Sequence, residues 1–210
     1  MKPLHGVYAI TDPVLMPDDD SLLSAVEQTL LGGAALIQYR NKPAHPAVRE
    51  RQATALLSLC ASFGTPLLIN DDVELCLRIG AAGVHLGQQD NSLAEARDRL
   101  GPDAIIGISC HARESLALEA QRKGASYVAM GRFFPSQTKP EAPASSLDDL
   151  RRIRPRLHVP LVAIGGVNAE NGASLVHAGA DMLAAIHHLF STTRIQQRTR
   201  EMNRLFQRTT

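Results

Sequence analysis

Cysteine is scarce in these 210 residues, and the three present, Cys60, Cys76 and Cys110, make an odd number with no metal-like spacing. That excludes a disulfide framework or a zinc site as the basis of the fold and points to a reducing, cytoplasmic compartment. An excess of either charge is also missing, because 22 basic and 21 acidic residues leave a formal net charge of +1. The broad electrostatic footprint of a nucleic-acid binder is therefore excluded, and small molecules are the expected partners. No apolar run approaches the roughly 18 residues of a membrane span, and the N-terminal stretch reaches charged Asp12 too soon for a signal peptide. Internal repeats and low-complexity linkers are absent, as is a glycine-rich dinucleotide fingerprint after the first apolar run.

What is present is alternation. Eight short apolar runs of strand type occur at 6–11 (GVYAIT), 35–40 (ALIQYR), 66–70 (PLLIN), 83–87 (GVHLG), 104–109 (AIIGIS), 127–134 (YVAMGRFF), 160–166 (PLVAIGG) and 182–188 (MLAAIHH). Between them lie segments of helical periodicity, such as 21–33, 48–64 and 114–125, most of which end in glycine. Strands alternating with helices imply parallel strands joined by right-handed crossovers. Eight such units in this length predict a single-domain (β/α)8 TIM barrel over residues 1–210, in preference to an open doubly wound sheet. A basic C-terminal helix at about 192–208, with five arginines against Glu201, reads as a solvated terminal helix. The loosest segment, 135–146 (PSQTKPEAPASS), reads as a mobile loop expected to close over a bound anion.

In such a barrel the active site forms at the C-terminal face, so the residues ending each strand carry the functional reading. Here they are polar: Thr11 and Asp12, then QYRNK (38–42), Asn70 with Asp71 and Asp72, Gly87 to Asp90, Ser109 to His111, Ser136 to Lys139, Gly165 with Gly166, and His187 with His188. Of only four lysines in the chain, Lys42 and Lys139 both sit at strand ends. Alternation puts Gln38, Arg40 and Lys42 on one side of an extended chain, where they can converge on a single anion. A planar guanidinium fork beside an ammonium point charge suits a polyphosphate better than a carboxylate. Asp71 and Asp90 follow neighbouring strands and can hold a hard divalent ion, although Asp71 or Asp72 can equally cap a helix. Cations and a carboxylate pair on one rim point to a magnesium diphosphate. A second anion site is expected where Gly165 and Gly166 let backbone amides approach a phosphate, against the simpler reading that they only make a tight turn. Two anion sites mean two phosphorylated substrates, hence a transferase. His85, inside an apolar strand, reads as a core histidine with a satisfied hydrogen bond. Adjacent Cys110 and His111 face opposite ways and make no nucleophile pair.

Taken together, YAITD, IQYRNK, LLINDD, GVHLGQQD, IIGIS, the TK at 138–139, AIGG and the GAD at 179–181 resemble thiamine phosphate synthase, from Tyr8 to about Phe190. The resemblance implies joining of a pyrimidine diphosphate to a thiazole phosphate with Mg²⁺, by departure of diphosphate and capture of a pyrimidine carbocation by the thiazole nitrogen. It implies that Gln38, Tyr39, Arg40, Asn41, Lys42, Asn70, Ser109 and Lys139 hold the pyrimidine diphosphate, with Arg40, Lys42 and Lys139 stabilising the leaving group. By the same resemblance Asp71 and Asp90 bind Mg²⁺, and Ser136, Gln137, Thr138, Gly166, Ile186 and His187 surround the thiazole phosphate. Three positions depart from the family's usual pattern: Ser136 replaces Thr, Met182 commonly Gly, and His187 commonly Ser. A related thiazole tautomerase has no use for the full diphosphate and carboxylate set, whereas a non-catalytic barrel that only binds thiazole phosphate or thiamine phosphate would show binding without turnover and keep its affinity in Asp71→Ala. Self-association is left open by the sequence.

Overall fold

The computed structural model describes residues 4–90, 92–138, 141 and 143–207. Eight parallel strands close a barrel in chain order: β1 (Gly6–Ile10), β2 (Leu36–Tyr39), β3 (Leu67–Asn70), β4 (Gly83–Leu86), β5 (Ile105–His111), β6 (Tyr127–Met130), β7 (Leu161–Ile164) and β8 (Met182–Ala185). The ring is sealed by β1 against β8, with Gly6 opposite Met182 and Ala9 opposite Ala185. The predicted (β/α)8 architecture is the one observed.

Each strand sorts its side chains by parity, as the two-residue repeat of an extended chain requires. One set, including Val7, Ile37, Ile69, Val84, Ile106, Val128, Ala163 and Leu183, packs outward beneath the helices. The other set, including Tyr8, Ile10, Leu36, Leu68, Ile105, Tyr127, Val162 and Met182, fills the barrel. Moving inward along this second set, the chain places Gln38, Asn70, His85 and Ser109 toward the C-terminal mouth. The barrel is therefore apolar at its base and polar at its mouth.

The outer layer comprises α1 (Asp19–Leu31), α2 (Pro46–Ser62), α3 (Val73–Ile79), α4 (Leu93–Leu100), α5 (Glu114–Arg122), α6 (Leu147–Ile153), α7 (Gly172–His177), the short α8 (His187–Phe190) and α9 (Ile195–Gln207). Capping boxes start α1 (Asp18 with Ser21), α4 (Ser92 with Glu95) and α6 (Ser146 with Asp149), satisfying amides that have no partner within the helix. Among the described residues no helix is long and apolar enough to cross a membrane.

Four expectations need adjustment. The eighth strand ends at Ala185, not 188, and His187 already opens α8. The sixth strand stops at Met130, not 134. Beyond Gly131 the chain leaves the ladder, and Arg132 instead exchanges backbone hydrogen bonds with Pro143 and Ser145. The fifth strand runs on to His111 through an irregularity between Ser109 and His111, where His111 adopts φ 52°. The C-terminal helix is not merely solvated. Thr199 and Met202 of α9 are fully buried, and Asn203 accepts from the Val7 amide while donating to the Gly32 and Gly33 carbonyls. The exposed face of the helix carries Gln197, Arg200, Arg204 and Gln207.

Candidate active site

A cavity of about 350 Å³ opens at the C-terminal mouth. Its floor and first wall are Gln38, Arg40, Asn70, His85 and Ser109 from β2 to β5, and its far wall is Ser136, Gln137, Thr138, Gly166, Ile186 and His187. Four of the residues expected around a diphosphate and all six expected around a thiazole phosphate thus line one space, although they come from six different strand ends or loops. His111, Arg132, Asn168 and His188 line it as well. Burial, followed by the nearby Arg198 charge, holds His188 below its ordinary pKa.

The QYRNK stretch does not converge on one point. β2 ends at Tyr39, so strict alternation stops before Arg40 is reached. Gln38 lies 2% exposed within the barrel and donates to the Tyr8 hydroxyl. Arg40 reaches the cavity, its backbone clamped by Thr11, whose hydroxyl accepts from the Arg40 amide at 2.8 Å. Lys42 enters a neighbouring groove of about 440 Å³, together with Tyr39, Asn41 and Asp71. Within that groove the Tyr39 hydroxyl and the Asn41 amide both donate to Gln52 Oε1, at 2.7 and 3.0 Å, which holds those two side chains against α2. Asn70 borders both spaces and joins them.

The acidic pair sits on this shared border. Asp72 caps α3, accepting from the Leu75 amide at 2.8 Å, and this leaves Asp71 without a capping duty. Asp71 is held at φ 63°, a left-handed conformation in which Asp and Asn are tolerated better than most side chains. Its Oδ2 accepts from Lys42 Nζ at 2.7 Å and Asn70 Nδ2 at 2.6 Å, and its carboxyl touches that of Asp90. Burial pushes the Asp71 pKa up, but Lys42, the Asp90 hydrogen bond and Asn70 outweigh it, so the net shift is downward. Asp90 moves the other way, raised by desolvation and then by the Asp71 carboxylate, while the Gly87 amide donates to it at 2.7 Å. Two carboxyl groups in contact repel when both ionise, and a shared cation relieves that repulsion.

On the opposite side, Gly165 and Gly166 have φ 99° and 65°, and a Cβ at Gly166 would lie 2.3 Å from the Pro135 carbonyl. The glycines are needed for contact with the loop after β6, which accounts for them without a phosphate, although both also border the cavity. His187 Nδ1 lies 3.4 Å from the Thr138 hydroxyl, bridging the segments that follow β8 and β6. Lys139 lies outside the described residues.

Residues 7–189 match the family model of thiamine monophosphate synthase. The chain belongs to that family. It is 48% identical over 207 residues to the thiamine-phosphate synthase of Alcanivorax borkumensis, covering 97% of this chain and 95% of the relative. Against the thiamine-phosphate synthase of Saccharophagus degradans it is 47% identical over 196 residues, with 93% and 90% covered. The solved thiamine phosphate pyrophosphorylase of Pyrococcus furiosus superposes with a TM-score of 0.87 at 31% identity, over 96% and 95% of the two chains. The chain is thus a transferase of the thiamine phosphate synthase family.

Within this family frame two departures separate in space. Met182 begins β8 and is fully buried among the base residues of the barrel, away from the cavity lining. His187 is on the lining itself. Sequence reasoning missed Tyr8 and Tyr127, whose hydroxyls face one another at 2.9 Å inside the barrel, and it misread His85. His85 is hydrogen-bonded at both ring nitrogens, as expected, but it borders the cavity rather than the core. The signal was available, since all three occupy inward positions of strands that are otherwise apolar. Cys110 meets the expectation: it is buried outside the barrel with its thiol pushed up to about 12, while His111 borders the cavity.

Proposed function

We propose that the enzyme joins 4-amino-2-methyl-5-(diphosphooxymethyl)pyrimidine to a thiazole phosphate by a dissociative route assisted by Mg²⁺. One observation carries this reading: ten residues suited to two phosphorylated ligands line a single cavity, and a carboxylate pair with a lysine borders its diphosphate side. Gln38, Asn70 and Ser109 hold the pyrimidine diphosphate at the mouth of β2, β3 and β5, with Arg40 facing it and Lys42 beyond Asn70. Ser136, Gln137, Thr138, Gly166, Ile186 and His187 seat the thiazole phosphate opposite. His187 donates where a hydroxyl is usual, so the exchange of Ser for His keeps a donor at that wall.

The bond between the pyrimidine methylene carbon and the diphosphate oxygen breaks with its electron pair leaving on diphosphate. The thiazole nitrogen lone pair then forms the new carbon–nitrogen bond, and the positive charge ends on the thiazolium ring. No proton transfer is required, so the route makes no demand on a protein nucleophile or general base. The protein's work is to align the two rings and to meet charge growing on diphosphate, by fixed cations acting in a site partly shielded from water. Asp71 and Asp90 fit the metal: two contacting carboxylates match the one or two that Mg²⁺ takes from protein when phosphate oxygens complete its shell. Mg²⁺ held there would neutralise diphosphate charge. Among the described residues no cluster of three or more His, Cys, Asp or Glu offers a different metal cage. The three buried, free cysteines suit a reducing cytoplasm.

The route is tested by isotope scrambling. Pyrimidine diphosphate labelled with ¹⁸O at the bridging position is incubated with enzyme, Mg²⁺ and a thiazole phosphate analogue lacking the nucleophilic nitrogen. Migration of label to non-bridging positions is expected for a reversible departure of diphosphate. Unscrambled label, with normal turnover of the true substrates, would replace it with a direct displacement.

A further inference from the structure

A line of five polar groups crosses the barrel. Gln38 Nε2 donates to the Tyr8 hydroxyl, Tyr8 Oη lies 2.9 Å from Tyr127 Oη, Tyr127 Oη lies 2.8 Å from His85 Nδ1, and His85 Nε2 lies 2.8 Å from Ser109 Oγ. Tyr8 and Tyr127 are fully buried, and their rings meet edge to face. Room for Tyr127 is made on β5: a Cβ at Gly107 would fall 1.9 Å from the Tyr127 ring carbon that bears the hydroxyl. The Tyr127 ring also stacks on His85, with centroids 5.6 Å apart and planes at 20°. The line is built by packing and does not depend on one chance contact.

Proton counting gives it a direction. An amide nitrogen only donates, so the Tyr8 oxygen accepts from Gln38 and the Tyr8 proton goes to Tyr127. Tyr127 in turn has its single proton to give to His85 Nδ1. A neutral imidazole that accepts at Nδ1 carries its proton at Nε2 and donates to Ser109. The Ser109 hydroxyl, already accepting from His85, has its own proton left for the cavity it borders. Burial raises both phenols well above the ordinary tyrosine value, Tyr127 further through Tyr8, so each phenol retains the proton that the line uses. Had the Gln38 carbonyl faced Tyr8, every bond would reverse and Ser109 would be an acceptor.

We propose that Tyr8, Tyr127 and His85 form a one-way hydrogen-bond relay from Gln38, and that they are positioning residues which hold Ser109 as a donor to the substrate's diphosphate. The relay itself stands on the geometry above, and the identity of the acceptor rests on the proposed function. Hydrogen bonds linked in a line of low polarity polarise one another, so a change at one end is felt at the other.

The test is nitrogen NMR of enzyme labelled with ¹⁵N-histidine, with the His85 signal identified by its loss in His85→Gln. The expected spectrum has His85 as the Nε2–H tautomer, and an Nδ1–H tautomer overturns the relay. Kinetics supply the second readout. Tyr127→Phe keeps the ring above Gly107 and removes one link, and kcat is expected to fall about tenfold, the effect of one buried hydrogen bond, with the KM for thiazole phosphate unchanged. His85→Gln restores a donor near Nε2 and is expected to stay within roughly threefold of wild type, whereas His85→Leu falls about tenfold or more. Equal losses for Gln and Leu, with both variants folded, would also overturn it. Because the tautomer is read without substrate, a protein that shows the Nε2–H form but makes no product refutes the proposed function and leaves the relay standing.

Discussion

Asp71→Asn separates the metal role of the carboxylate from its structural one. Asn tolerates the φ of 63° at this position and keeps an oxygen that can accept from Lys42 or Asn70, so the backbone is undisturbed. The lost ion pair with Lys42 has side chains 54% and 24% exposed. Solvent screening limits such a pair to about 0–1 kcal/mol, and removing the repulsion with Asp90 offsets part of that. Stability should therefore change by less than about 1 kcal/mol, or a Tm shift within roughly 2–4 °C for a chain of this size. Metal use should change far more. Loss of a charged contact costs about 1.5–3 kcal/mol, so the Mg²⁺ concentration for half-maximal activity should rise roughly ten- to a hundredfold. The assay is product formation against Mg²⁺ concentration at saturating substrates, alongside a melting curve without metal. An unchanged Mg²⁺ curve with unchanged Tm would refute the assignment. A collapse of Tm by 10 °C or so would show that Asp71 is structural.

The raised pKa of Asp90 makes a prediction of definite sign. Its folded value lies above the unfolded one, so its stabilising contribution is present below the ordinary carboxylate value and is lost as pH rises through the folded pKa. In chelator, wild type should therefore lose stability relative to Asp90→Asn as pH climbs from about 4, with a smaller relative loss in Mg²⁺; paired melting series of the two proteins check this, because carboxylates held below their ordinary pKa, such as Asp18, Asp19 and Glu95, move the curve of both proteins the opposite way. Met202→Ala should cost about 2–5 kcal/mol by denaturant titration, because the side chain is fully buried under α9, whereas a value near zero would return α9 to a solvated appendage. Gly107→Ala places a methyl against the Tyr127 ring and should destabilise by about 1–3 kcal/mol or more. Tyr127→Phe should not relieve that clash fully, since the ring remains.

The barrel was legible because its two signals agree: apolar runs of strand length, and helices closed by glycine or opened by capping residues. Site residues at strand ends were legible for the same reason, as parity delivers Gln38, Asn70 and Ser109 to the mouth without further information. The stretch after Gln38 was not. Alternation predicts side-chain direction only while the strand lasts, and β2 ends one residue before Arg40, where a hydroxyl from Thr11 sets the backbone instead. Choosing between Asp71 and Asp72 as the helix cap needed geometry, because both residue types cap equally well. His85 shows the converse error. A histidine among apolar neighbours suggests a core position, yet its parity with Gly83 on β4 points it into the barrel, where Tyr127 and Ser109 meet it.

The proposed reaction unites two phosphorylated ligands in one cavity with a metal at Asp71 and Asp90. Purified protein is incubated with pyrimidine diphosphate and thiazole phosphate, with Mg²⁺ or with excess chelator, and thiamine phosphate is read by chromatography. Product and stoichiometric diphosphate are expected with Mg²⁺, and little of either in chelator. Product formed at the same rate in chelator would contradict the metal assignment, and no product from folded protein with Mg²⁺ would contradict the transferase itself.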